Sequence, residues 1–415
     1  MSGRVVFFQV LVQGINAITG LALVRGMSKA DYAWFTVAGS FLATLNLLGD
    51  GGITTGITTL GGRTHEDSGR FSRLLHESLR LATLLSTVGF FLALPFYIGI
   101  YLKISAPQSV IIGVAGLALL SARPTVVTSV LNAANRVQKK ISAVQTTDLI
   151  AASARLVLTM GIAAAGALTI LPVMATTAST IWLQALMVKS TAKPLLVSPD
   201  APGDERSQLI GFVRVLYLNN AFFCVQGQVC TWIIGALGTS NELADLGALT
   251  RLTVIFTAVT APIGYLAVPA VARAKSRQAV LNRIIWTLGA IIFGLAVLVA
   301  AGVLAPWAFL WLLGEKYVHL QAELPLALAS QAVSILTTLA WSLVLARGWV
   351  RHAWFTVVTA IIGYGLGALT CELHTVSGIL WFSFVAALPT LLFCAWVIMQ
   401  KLRVENVQPL QENDH

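Results

Sequence analysis

Three arginines and two aspartates lie inside runs that are otherwise apolar, and they are the side chains with most chemistry open to them. Arg123, Arg155 and Arg251 are the cations, Asp50 and Asp148 the anions, and Arg25 closes the end of the first apolar run. An Arg at the centre of a membrane helix costs about 2.5–3.5 kcal/mol on insertion scales, so it marks a place where something is bound or bonded. Counted at 1.5 Å per residue, Arg123 and Arg155 both lie roughly 18–20 Å from the turn that joins their segments. They share one depth on consecutive helices and repel unless an anion is near. On the same count Arg251 is about 9 Å from the opposite end of its segment. Guanidinium donors match phosphate oxygens. One reading is therefore a cationic cavity for a diphosphate, formed by Arg123, Arg155, Arg251 and Arg25. The other is internal: Arg155 pairs with Asp148, and Arg123 with a backbone carbonyl. Among the charges singled out, three Arg against two Asp leave one positive charge over, which favours the first.

Uncharged polar residues add to this pattern. Gln9, Gln13 and Asn16 fall at i, i+4 and i+7 and share a helix face. Asn219, Asn220, Gln226 and Gln228 lie on the seventh apolar run. Such stripes bond helix to helix or line a polar cleft in which sugar hydroxyls could be bonded. No Walker A loop is present, so nothing points to ATP hydrolysis. The six His are scattered near loops and tails, and Cys224, Cys230, Cys371 and Cys394 have no metal-ligand spacing. No metal, cofactor or catalytic residue is expected.

The elements that hold these residues are membrane helices. Of 415 residues, 57% are hydrophobic and 11% charged, where a soluble domain carries about 25%. The net charge of +10 does not point to nucleic acid, because the basic residues sit in short connections between apolar runs. At about 20 residues per span, twelve spans are predicted: 5–24, 32–61, 74–101, 108–135, 141–167, 169–189, 209–237, 245–272, 280–303, 322–346, 353–371 and 376–400. Ala305–Leu313 is apolar but too short to cross. The N-terminal run has no small-residue cleavage site and reads as a retained helix. Residues 190–208, with Pro194, Pro199, Pro202 and Gly203, read as a linker. It separates a six-helix lobe, 1–189, from a second, 209–403, and residues 404–415 read as a polar, disordered tail. Lys and Arg number 18 in the even connections and at the ends, against 4 in the odd connections. That bias places both termini in the cytoplasm.

The halves read as parallel repeats. Gln13-Gly14 matches Gln226-Gly227 at an offset of 213, and Asp31 matches Asp245 at 214. Pro95-Phe96 matches Pro306-Trp307 at 211, and Leu131–Lys140 resembles Leu343–His352 at 212. An even number of spans inserts both copies the same way, about an axis along the membrane normal. Gly49-Asp50-Gly51-Gly52 in span two and Pro262 with Pro269 in span eight are corresponding breaks, where helices bend.

Arg25–Gly62 (RGMSKADYAWFTVAGSFLATLNLLGDGGITTGITTLGG) carries a family resemblance. Its short polar turn, acidic-aromatic start and "LGDGG" break, with the basic turn in Leu131–Lys140, are similar to the multidrug/oligosaccharidyl-lipid/polysaccharide (MOP) flippase superfamily. Within it the chain resembles the Wzx-type O-antigen and enterobacterial common antigen translocases. The motifs cover about 50 residues; topology extends the likeness to most of the chain. The resemblance implies a MATE-like all-α polytopic fold, two parallel six-helix pseudo-repeats around a central cleft. It also implies a flippase of the bacterial inner membrane. The flippase would move an undecaprenyl-diphosphate-linked oligosaccharide, an O-antigen or related unit, to the periplasmic leaflet by alternating access. Its partners would be that substrate and membrane lipids, with room for polysaccharide polymerase and chain-length proteins of lipopolysaccharide synthesis. Coupling to H+ or Na+ would fall to Asp50 and Asp148.

The chain departs from two branches of that superfamily. The drug-exporting branch usually has an acid early in its N-terminal half, often in span one, and span one here has none. The peptidoglycan-precursor branch has extra helices and more Arg in its early spans. The competing expectation is an ion-coupled small-molecule antiporter of multidrug type. A membrane scaffold, or a glycosyltransferase or polymerase, fits less well; no outer connection is long enough for the enzymes.

Overall fold

The structure, a computed structural model, describes residues 2–64, 67–195, 204–252, 256, 271, 276–347, 349 and 354–404. All regular structure among the described residues is helical. Ten helices are long and apolar enough to cross a membrane. An eleventh apolar helix, Phe355–Thr370, is shorter than a full span. Most of predicted span eight, with Pro262 and Pro269, lies outside the described residues, as do residues 196–203 of the linker and 405–415 of the C-terminal tail.

The chain forms two compact units, 14–247 and 1–13 with 248–415. The sequence places a lobe boundary at 190–208. The compact units meet after Gln13 and after Gly247, positions inside predicted spans one and eight.

The first unit is built on α1 (Ser2–Gly26) from Gly14 on, α2 (Lys29–Asp50), α3 (Ile53–Thr64), α4 (Ser68–Lys103), α5 (Gln108–Val137), α6 (Ile141–Ala164), α7 (Ile170–Ala192), α8 (Glu205–Leu237) and α9 (Ser240–Leu252) up to Gly247. Caps fix several starts. Ser28 Oγ accepts from the Asp31 amide at 3.1 Å, and Asp67 Oδ1 accepts from the Arg70 amide at 3.0 Å. Each cap contributes about 1 kcal/mol. One apolar core, with Ile53, Ile57, Phe71, Leu74, Val126, Val130, Leu209 and Val213, joins α3, α4, α5 and α8. A polar knot ties α8 on from within. Tyr97 of α4 is buried, and its hydroxyl lies 2.9 Å from Ser40 Oγ and 2.8 Å from Thr44 Oγ1 of α2. It also accepts from Trp232 Nε1 of α8 at 2.7 Å. At the far end of α8, Asp245 pairs with Lys29 at 3.0 Å, and Tyr32 donates to the Gly247 carbonyl at 3.1 Å.

The second unit holds α10 (Arg277–Leu304), α11 (Pro306–Leu313), a 3-10 segment Glu315–Gln321, α12 (Leu324–Ala346), α13 (Phe355–Thr370) and α14 (Val376–Val404). Ala305–Leu313, read as too short to span, is the separate short helix α11. Gly363 and Gly367, four apart on α13, let α14 come close: a Cβ on Gly363 would overlap the Ala386 carbonyl, and one on Gly367 would press on Phe382. Small residues at such spacing are how apolar helices approach without a hydrophobic driving force in lipid. Large apolar side chains such as Leu369, 86% exposed, face outward, as lipid requires.

Candidate functional site

Predicted span two is broken at the glycines the sequence singles out. Gly51 (φ +50°) and Gly52 (φ +98°) both adopt left-handed backbone, which Gly enters without the steric cost of a Cβ. Gly51 ends α2 by donating its N–H to the Leu47 carbonyl. The break faces α8 at close range. A Cβ on Gly51 would lie 2.8 Å from the Tyr217 ring, and one on Gly52 would lie 2.9 Å from Leu216 Cβ and 3.1 Å from Asn220 Nδ2. Asn220, expected to line a cleft, packs beside this break.

Asp50, the last residue of α2, reaches across the break to the start of α3. Its carboxylate accepts from the Thr54 amide and from Thr54 Oγ1, both at 3.0 Å. Those bonds satisfy an orphan donor at the start of α3. Asp50→Ala is therefore expected to cost about 1 kcal/mol, with Asp50→Asn costing less because an amide oxygen still accepts. Comparison of their thermal melting in detergent checks this; equal melting of both variants and the parent would remove the capping role.

A polar cavity of about 640 Å³ opens beside α3. Thr54, Thr55, Thr58 and Thr59 line it from α3, and Asn46 from α2. From α5 come Thr125, Thr128, Ser129 and Asn132, at i, i+3, i+4 and i+7, with Arg136 one turn further on. Gln184 closes it from α7. Gln184 is held from behind: its Nε2 donates to Asp148 Oδ1 of α6 at 2.8 Å. Asp148 thus has a partner that spacing alone did not point to.

The expected cations are placed differently. Arg123 is exposed, two residues before Thr125 and so about 200° around α5 from it. It faces away from the polar cavity. Arg155 is half-buried and seven residues after Asp148, which puts it on the same face of α6. Arg25 is exposed in the last turn of α1. Arg251, half-buried in α9, belongs to the second compact unit, as do Gln9 and Gln13. Asn16, Asn220, Gln226 and Gln228 belong to the first. All six of these amide side chains are half-buried.

A charged cluster marks the end of the first unit where α4 and α8 begin. Glu205 is buried and receives Arg70 Nε and Arg73 Nε, each at 3.2 Å. Glu77 pairs with Arg80 at 3.0 Å and reaches Arg206 at 3.8 Å. Burial pushes the Glu205 carboxyl up, but the bonds from Arg73 and Arg70 outweigh it and hold it below the usual carboxylate range.

The sequence missed the threonine stripes. Their signal was present, four hydroxyl or amide residues on one face of α5, but a Thr whose hydroxyl bonds its own helix is compatible with an apolar span.

No protein-family model matches the chain, and no curated protein matches it in sequence. Solved structures match its fold. An inward-facing multidrug resistance MATE family transporter of the MOP superfamily is similar at a TM-score of 0.72 and 13% identity, over 94% of this chain and 94% of that chain. The lipid II flippase MurJ, in an inward closed conformation, is similar at 0.69 and 11% identity, over 95% of this chain and 87% of that one. A MOP superfamily transporter from Pyrococcus furiosus, described as having a binding pocket of reverse polarity that suggests a different function, is similar at 0.66 and 13% identity, over 98% and 96%. The chain is an all-helical, multi-pass membrane protein with a MATE-like fold, shared with MurJ.

Proposed function

We propose that the chain is a flippase of the bacterial inner membrane, with cytoplasmic termini. It carries an undecaprenyl-diphosphate-linked oligosaccharide, an O-antigen or related polysaccharide unit, to the periplasmic leaflet by alternating access. The observation that carries this reading is the cavity among α2, α3, α5 and α7. Most of its lining residues carry hydroxyls or carboxamides, with one guanidinium and with Ala133 and Ile181 between them, and none of its described lining residues is acidic. Polar walls of that kind suit a neutral or anionic sugar headgroup. They do not suit the cationic compounds of a multidrug antiporter, the second reading, which rests on the MATE likeness. Arg25, Arg123, Arg155 and Arg251 are the diphosphate contacts of this proposal. Asp50 and Asp148 are its sites for H+ or Na+ coupling, beside the hydrogen bonds they make.

The test is complementation. Cells lacking their own oligosaccharide flippase are given this chain, and surface polysaccharide is scored. The parent is expected to restore it, and Arg155→Ala or Arg251→Ala, at equal membrane level, to lose it. Failure in several hosts of different sugar chemistry, together with transport of a soluble compound in vesicles, would establish the antiporter instead.

A further inference from the structure

We infer that the threonine-lined cavity is a sugar subsite: ring hydroxyls donate to threonine oxygens, and an anionic substituent is held at Arg136. This rests on the flippase reading and assigns the part of the path that reads the headgroup. Donors and acceptors decide the ligand class. Thr58 Oγ1 donates to the Thr54 carbonyl at 2.9 Å, Thr125 Oγ1 to the Ser121 carbonyl at 2.7 Å, and Thr128 Oγ1 to the Pro124 carbonyl at 2.9 Å. Each of these hydroxyls has used its one hydrogen within its own helix and keeps lone pairs. A ligand must therefore bring its own donors, and sugar hydroxyls do.

The carboxamides complete the match. Asn132 Oδ1 is buried with no hydrogen-bond partner among the described residues. An unpaired buried acceptor is unfavourable until a donor reaches it, and a ring hydroxyl supplies one. Gln184 is fixed by Asp148, so its remaining N–H and its carbonyl are set in place before a ligand arrives. Held geometry of this kind reduces the ordering cost of binding. An inorganic cation could use the same lone pairs, but the described lining offers it no carboxylate and presents Arg136 instead. An isolated phosphate would meet a wall that mostly accepts. A polyol with an anionic group uses both features. The volume, about 640 Å³, lies within the usual range of small-ligand sites, about 300–1,000 Å³.

The experiment uses the full chain in lipid nanodiscs. Its probes are farnesyl diphosphate and farnesyl diphosphates carrying one glucose, N-acetylglucosamine or glucuronic acid, the last bringing the carboxylate expected at Arg136. At least one sugar-bearing probe is expected to bind about tenfold or more tighter than bare farnesyl diphosphate, a difference of about 1.4 kcal/mol. Thr58→Val with Thr128→Val is expected to erase that preference and leave binding of the bare probe unchanged. The Ser double variant is expected to keep it. A second readout does not depend on the Val variants folding: alkylation of Thr59→Cys, followed on its own peptide, should be slowed by the preferred sugar probe and not by the bare one. Equal binding of bare and sugar-bearing probes, or a preference that survives in folded Val variants, overturns the subsite. If complementation succeeds while the preference is absent, only this inference falls. If no farnesyl probe binds and complementation fails, the flippase reading falls with it.

Discussion

Gly52→Val is expected to lower the melting temperature by about 10 °C or to abolish folded yield, while Gly62→Ala, ten residues on, changes little. The two glycines differ in what surrounds them. Gly52 has φ +98°, a conformation that costs a side-chain-bearing residue about 1–3 kcal/mol. Its Cβ would also lie 2.9 Å from Leu216 Cβ, and the Val methyls reach further. Overpacking of that kind typically costs about 1–3 kcal/mol more. Together the two penalties are about 2–6 kcal/mol, and about 1 kcal/mol shifts melting by 2–4 °C in a domain of this unit's size. Neither term can relax cheaply. The neighbour is the stem of a side chain on α8, and α8 is tied to α2 and α4 by the Tyr97 knot. Gly62 meets nothing within 4 Å, and Ala is the better helix former by about 1 kcal/mol. Fluorescence-detected size-exclusion melting of both variants is the measurement. A Gly52→Val protein that melts within about 2 °C of the parent would show that the break does not need its glycine.

That contrast also shows where sequence reading works. Gly51-Gly52 and Gly61-Gly62 are the same dipeptide in neighbouring positions, and only the acid before the first hinted at a break. Span lengths were legible because hydrocarbon thickness fixes them. Helix faces were less so. The α5 stripe Thr125, Thr128, Ser129 and Asn132 lies on one face by simple counting, yet charge drew the eye to Arg123, which lies on the opposite one. A charge in an apolar run is conspicuous because it is costly there, and it faces wherever its helix packing allows. A back-bonded threonine costs little and so leaves no mark in hydropathy. Asp50 was legible as unusual but not as a cap, because capping depends on where the chain bends. The docking of α8 on α2 and α4 was not legible at all. It depends on Trp232 meeting Tyr97, 135 residues away in sequence, and no local pattern records that pairing.

Glu205→Ala is expected to destabilise the first unit by about 3 kcal/mol, near the low end for breaking a buried ion pair. The low end applies because Arg70, one of the two cations left behind, is 48% exposed and can rehydrate. Arg73, at 22%, is more committed. Glu205→Gln should cost less, since an amide oxygen still accepts one Arg bond. The pH dependence has a definite sign. The bonds from Arg73 and Arg70, outweighing burial, hold the folded carboxyl below its ordinary value. Its contribution is therefore fully present above the unfolded value of about 4.3 and is lost as pH falls through the lower, folded value. The gap in melting temperature between parent and Glu205→Gln should be constant from pH 8 to pH 6 and should narrow only below about pH 4. A gap that narrows instead near pH 6–7 would mean that a histidine, and not Glu205, controls this end of α8. Salt separates Glu205 from its neighbours: the exposed Arg80–Glu77 pair is screened within a Debye length of about 8 Å at physiological ionic strength, so Arg80→Ala should lose what little effect it has in 1 M salt. Buried Glu205 keeps its effect there, because bulk ions cannot replace two short guanidinium bonds. A Glu205→Ala penalty that vanishes in 1 M salt would place the cluster at the surface and remove it as the clasp that holds α8 to α4.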